Sequence, residues 1–210
     1  KKKDMKIKPT IYATSLSAFI NLMWAYVAYF VCRLAYGIEN WSVLGGNFTS
    51  GNMGEVLKGG LMFDTSAIMY TNSLYMVLML FPLHVKECRG WQKMAKSVFV
   101  IVNALAICIN LADSVYFKYT GRRTTATIFS EFGNEGNLGS VIGVEFLNHW
   151  YLVLLALGLI VALAKLYAMP SSVLKIKSMF KYYVVQLLAL LLFLPMCIGG
   201  MRGGLTKAVR

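Results

Sequence analysis

Three polar side chains inside one long apolar stretch are the residues that first demand a chemical account. Asn103, Asn110 and Asp113 fall on one face of a helix turning about 100° per residue, with Ala106 and Phe117 on the same stripe. Polar groups in hydrocarbon are costly and turn toward a bundle interior, so this face is predicted to look inward, with Tyr116 in the same network. The two asparagines suit hydrogen bonds to neighbouring helices, worth roughly 0.6–2 kcal/mol each. Asp113 suits either an ion pair with Arg33, Arg122 or Arg123, or contact with a ligand. Arg33 can snorkel to the interface or pair with Asp64 or Asp113. Asp64, followed by Thr65 and Ser66, is expected to cap the N-terminus of a helix.

A second set is cationic. Lys118, Arg122, Arg123 and Arg202 follow the ends of apolar stretches, and guanidinium groups bind phosphate through two parallel hydrogen bonds. Their chemistry is therefore contact with a lipid phosphate or with a docked domain, Asp113 orienting one arginine; plain interfacial snorkelling is the alternative. His149 and Trp150 suit an interfacial anchor. No set amounts to a catalytic constellation: the chain has no G-x-S-x-G elbow, H-E-x-x-H helix or phosphate loop. Cys32, Cys88, Cys108 and Cys197 show no metal-site spacing and are expected to pack in apolar surroundings. Asn40 and Asn47 begin glycosylation sequons of a length that arises by chance.

The elements that must position these residues are long and apolar. The 210-residue chain is 58% hydrophobic and only 14% charged, a composition of integral membrane proteins. A hydrocarbon core about 30 Å thick needs about 20 apolar helical residues. Five segments meet that length, near residues 11–36, 65–85, 96–117, 147–168 and 182–200. The predicted fold is thus all-α, with five transmembrane helices and short interfacial helices around Asn52–Lys58 and Thr124–Phe132 in glycine-rich connections. The first segment is too long and too rich in Trp24, Tyr26, Tyr29 and Arg33 for a cleaved signal peptide. No internal repeat supports an inverted-repeat transporter.

Basic residues set the orientation, since they are retained in short cytoplasmic loops. With the N-terminus cytoplasmic, the inner side holds the lysines of residues 1–8, then Lys86, Arg89, Lys93 and Lys96, then Lys165, Lys175, Lys177 and Lys181. Glu39, Glu55, Asp64, Asp113, Glu131, Glu135 and Glu145 fall at or near the outer side, where they balance its cations. The net charge of +12 therefore reflects topology, and a nucleic-acid partner loses its support.

The run from Asn110 through Asp113, Tyr116 and Phe117 to Gly121, Arg122, Arg123, Thr124 and Thr125, with Phe129 and Glu135 downstream, resembles the membrane domains of the lipoteichoic acid synthase family. Leu61-Met-Phe-Asp64-Thr-Ser and Met201-Arg-Gly-Gly-Leu205 agree with it. The resemblance implies a multi-pass module of the bacterial cytoplasmic (inner) membrane. Residues 201–210 would then begin a linker to an extracytoplasmic sulfatase-like domain outside this sequence. That domain would hold a divalent metal (Mn, Mg or Zn) and a threonine nucleophile. It would move phosphoglycerol or phosphoethanolamine from a phospholipid to an envelope glycan or lipid. The partners implied are phospholipids and the catalytic domain itself, with no catalytic residue in this chain. A small self-contained transporter or channel, or a non-catalytic assembly subunit, are the alternatives.

Overall fold

A computed structural model describes residues 13–45, 53–80, 86, 88–122, 144–145, 147–170 and 179–201. Among these, every regular element is a helix: α1 (Ala13–Glu39), α2 (Trp41–Leu44), α3 (Met53–Thr71), α4 (Ser73–Leu80), α5 (Arg89–Thr120), α6 (Trp150–Leu166) and α7 (Met179–Met201). Among the described residues, two helices are long and apolar enough to cross a bilayer, Thr14–Glu39 and Arg89–Thr120; α6 is apolar but shorter.

α5 has 32 residues, hence about 48 Å at 1.5 Å per residue, and outruns a hydrocarbon core of about 30 Å. It begins a full two turns earlier than 96, and its basic first turns lie beyond the apolar centre. It ends at Gly121, whose left-handed φ of 66° lets its N–H reach the Phe117 carbonyl at 2.8 Å.

α3 and α4 form one nearly continuous rod. At Asn72 the helical bonds persist, with the Asn72 N–H reaching Ile68 O at 2.9 Å and the Met76 N–H reaching Asn72 O at 2.8 Å. The separate interfacial helix expected at Asn52–Lys58 is therefore absorbed into α3, because Gly59 and Gly60 do not interrupt the hydrogen-bond ladder. Asp64 accordingly sits inside α3, more than two turns from its first residue, and is not an N-cap. The interfacial helix expected at Thr124–Phe132 lies outside the described residues.

α1 is the centre of the bundle, packed against α3, α4, α5 and α6, while α7 lies mainly on α3. There Gly200 backs onto Met69 so closely that an added Cβ would sit 3.0 Å from Met69 Cγ, and Ser66 Oγ donates to Gly200 O at 2.9 Å. The buried faces carry Ser17, Asn21, Asn72, Gln92, Asn103 and Asp113 among small and aromatic residues. The outward faces carry Phe19, Met23, Val27 and Leu34 of α1, Ile101, Leu105 and Ile109 of α5, and Leu154, Leu157 and Val161 of α6. Apolar side chains thus fill the core and also cover the outward faces, a surface that water does not favour. Of the cysteines, Cys32 and Cys197 are buried but Cys88 and Cys108 are exposed, so burial is not the environment of all four.

Candidate functional site

A polar seam runs the length of α1. Ser17, Asn21, Tyr29 and Arg33, with Asn40 just past the last residue, follow at steps of four, eight, four and seven, so the seam winds around the helix as it rises, through about 160° at about 100° per residue. All but Arg33 are buried, and from Ser17 to Asn40 they cover about 35 Å. The seam meets partners at four levels.

At the innermost level the Asn21 amide donates to Tyr75 Oη at 2.9 Å and to Ala168 O at 3.2 Å, while Ala168 N–H donates back to Asn21 Oδ1 at 2.7 Å. One carboxamide thus pins the backbone that leaves α6. Tyr75, Phe99 and Tyr167 close this level as an aromatic cluster, with ring centroids 4.9–6.3 Å apart. In the middle, Asn103 and Asn72 exchange amide hydrogen bonds at 2.7 and 3.2 Å, and Tyr29 Oη lies 3.2 Å from Thr71 Oγ1. Asn103 also donates to Phe99 O at 2.8 Å, so both buried amides are well used.

The third level is ionic. Arg33 grips Asp64 through two bonds, Nε to Oδ2 at 2.8 Å and Nη2 to Oδ1 at 2.6 Å, and Nη2 also donates to Gly60 O at 2.9 Å. Gly60 is needed here, because a Cβ would lie 2.8 Å from Arg33 Nη1. Of the two partners expected for Arg33, the grip belongs to Asp64. Tyr29, Cys32, Arg33, Tyr36, Asp64 and Asn110 enclose a cavity of about 60 Å³, room for a few water molecules. Asn110 lines it while donating to Ala106 O of its own helix at 3.0 Å. Asp113 is buried on α5, and Tyr116 is half-buried.

The outermost level joins three helix ends. Glu39 Oε1 lies 3.2 Å from both Lys118 Nζ and His149 Nε2, and Glu39 Oε2 accepts from Tyr151 Oη at 2.6 Å. His149 Nδ1 lies 3.3 Å from Glu145 Oε2, whose carboxylate also accepts from Tyr119 Oη at 3.2 Å. His149 is therefore buried between two carboxylates, and its role exceeds that of an interfacial anchor. Below them Asn40 donates to Tyr36 O and Ser114 O at 3.0 and 2.9 Å; fully buried, it offers a glycan no access.

The structure thus groups Arg33, Asp64 and Asn110 around one cavity, seats Asn103 with Asn72 deeper in the bundle, and engages Lys118 with Glu39. Arg122 is exposed just past the Gly121 cap, and its carbonyl accepts from Thr120 Oγ1 at 3.1 Å. Arg123 and Arg202 lie outside the described residues. Sequence reasoning overlooked Asn21, Asn72 and Tyr75, although an amide inside an apolar span is itself a signal, and it overlooked the i,i+4 spacing of Glu145 and His149. Among the described residues no group of three His, Cys, Asp or Glu side chains could hold a metal ion. No family model, curated protein or solved structure matches this chain.

Proposed function

We propose that this chain is the non-catalytic membrane module of a bacterial envelope phosphotransferase. It crosses the cytoplasmic membrane five times, N-terminus inside, and holds an extracytoplasmic sulfatase-like domain at the lipid headgroup plane. The observation that carries this reading is the ionic tie between the outer ends of α1, α5 and α6 through Glu39, Lys118, His149 and Tyr151. Such a tie makes a stiff platform at headgroup depth, and transfer from a phospholipid needs its donor phosphate held within bonding distance of the reacting group. The apolar outward faces, with polar side chains such as Asn21, Asn72 and Asn103 turned inward, support a lipid surround. In this reading Arg122, Arg123 and Arg202 meet lipid phosphate or the docked domain, while Lys118 braces the platform through Glu39. The divalent metal belongs to the outer domain and has no ligands among the described residues.

The test is phosphoglycerol or phosphoethanolamine transfer from labelled phospholipid by the protein purified from its native membrane. Replacing both Arg122 and Arg123 with Ala is expected to lower transfer about 10-fold or more, equivalent to roughly 1.4 kcal/mol. A native protein that transfers neither group would end the proposal; unchanged transfer in the folded double variant would end the role of the two arginines.

The polar seam of α1 also favours a second reading, a small transporter or channel. Against it, the Tyr75–Phe99–Tyr167 cluster fills the inner level, and the seam's polar groups are largely spent on one another. Solute or proton flux through liposomes holding the chain, reduced by Asn103→Leu, would favour transport over anchoring.

A further inference from the structure

We propose that His149 is the pin of a proton-sensitive clasp joining the outer ends of α1, α5 and α6, closed while its ring carries two protons and loosened once it loses one. The clasp rests on the geometry around the ring and is independent of the transferase reading. Among the described residues, the polar atoms nearest the ring nitrogens are acceptors: Glu39 Oε1 at 3.2 Å from Nε2, and Glu145 Oε2 and Glu145 O at 3.3 and 3.2 Å from Nδ1. A neutral imidazole has one N–H and one lone pair. Whichever nitrogen kept the proton, the other would aim its lone pair at a carboxylate oxygen across a buried contact. Only the imidazolium presents an N–H and positive charge to both carboxylates at once.

The other charged and titratable groups at this end, among the described residues, do not supply that function. From α1 comes Glu39; from α5 come Lys118 on Glu39 and Tyr119 on Glu145, with exposed Arg122 just past its end and Asp113 and Tyr116 further down the helix; from the α6 side come Glu145 and Tyr151. α2 contributes no ionisable side chain. Lys118 and Tyr119 each hold one carboxylate to α5, so neither joins Glu39 to Glu145. Tyr151 keeps a neutral link from α6 to Glu39, so losing the His149 proton loosens this end and does not detach it. What is lost is the one group bound to both carboxylates, together with its compensation of their charge.

The sign follows. The bridge requires the protonated ring, so its stabilisation is present at the acidic end of the range and disappears as pH rises. Histidine changes charge between about pH 5 and about pH 8, a range that leaves carboxylates and lysines ionised. The chain has two histidines, and His84→Gln leaves His149 as its single imidazole.

The full chain carrying His84→Gln, in lipid nanodiscs, is unfolded thermally from about pH 5.5 to about pH 8. Its midpoint is expected to fall by about 2–4 °C across that range, the shift of a lost interaction near 1 kcal/mol in a chain of this size. Adding His149→Gln is expected to abolish the fall. Equal falls with and without His149 would overturn the clasp. Should the double variant not fold, ring ¹⁵N spectra of the His84→Gln chain decide alone. Two protonated nitrogens at about pH 5.5, giving way as the midpoint falls, support the clasp; a neutral ring in the folded chain at that pH overturns it.

Discussion

Arg33 shows how one residue's worth depends on what is left behind when its partner goes. Its guanidinium is held on two sides by Asp64 and on a third by the Gly60 carbonyl, with side-chain exposures of 29% for Arg33 and 12% for Asp64. Removing one member of a fully buried pair costs about 3–5 kcal/mol because the survivor's charge is uncompensated. Partial exposure of Arg33 lowers that, so Asp64→Ala is expected to cost about 2–3 kcal/mol in thermal or denaturant unfolding. Arg33→Met with Asp64→Leu removes both charges and is expected to recover most of the loss; a double variant as unstable as the single one would contradict this account. Gly60→Ala tests the same grip from the backbone. Its methyl must push the guanidinium off a position 2.8 Å away, so a smaller loss, about 1–2 kcal/mol, is expected. The charges were visible in sequence, and so was the possibility that Arg33 meets Asp64. The choice was not, because it depends on α3 running unbroken from Met53 and placing Asp64 opposite Arg33.

At the scale of elements, the break between α3 and α4 is small because its side chain is satisfied from another helix. Asn72 donates to its own Ile68 O at 3.1 Å and exchanges bonds with Asn103 of α5, so the rod turns without exposing an amide to hydrocarbon. Replacing either asparagine by Leu strands the other. Each single substitution is expected to cost about 1–2 kcal/mol, and a double-mutant cycle is expected to give a coupling of about 0.6–1.7 kcal/mol. Strict additivity would mean that the pair is geometric coincidence. The helix periodicity of 103, 110 and 113 could be read from spacing alone, since amphipathic faces repeat with the turn of the helix. Asn72 needed the partner as well: nothing local distinguishes an amide at a helix junction from one in a loop. For the same reason, the boundaries of α3 were misjudged. Glycines at 59 and 60 suggest an interruption, yet the helix runs through both, with Gly60 packed against the Arg33 guanidinium.

For the whole molecule, the decisive asymmetry is between its two ends. The outer end is tied by side chains of three helices. At the inner end the ties run through the backbone: the Trp91 indole reaches Leu78 O at 2.9 Å, Gln92 reaches Lys86 O, and Asn21 holds Ala168. The long apolar helices α1 and α5 were legible because their length and composition can be read from the residues alone. The contact between Glu39 and His149 was not, since it joins residues more than 100 positions apart. Orientation decides which end faces which compartment, and the orientation proposed above rests on basic residues alone. Exposed Cys88, immediately before α5 and its Arg89, Lys93 and Lys96, offers a direct check. With a cytoplasmic N-terminus, a membrane-impermeant maleimide given to intact cells should leave Cys88 unlabelled and should modify it once the membrane is permeabilised. Cys108 is exposed in the apolar middle of α5, next to outward-facing Ile109 and three residues from Leu105, so in a bilayer it should resist the reagent from either side. Labelling of Cys88 from outside would invert the bundle, move the Glu39–His149 tie to the cytoplasm, and remove the platform from the side where a phospholipid donor is met.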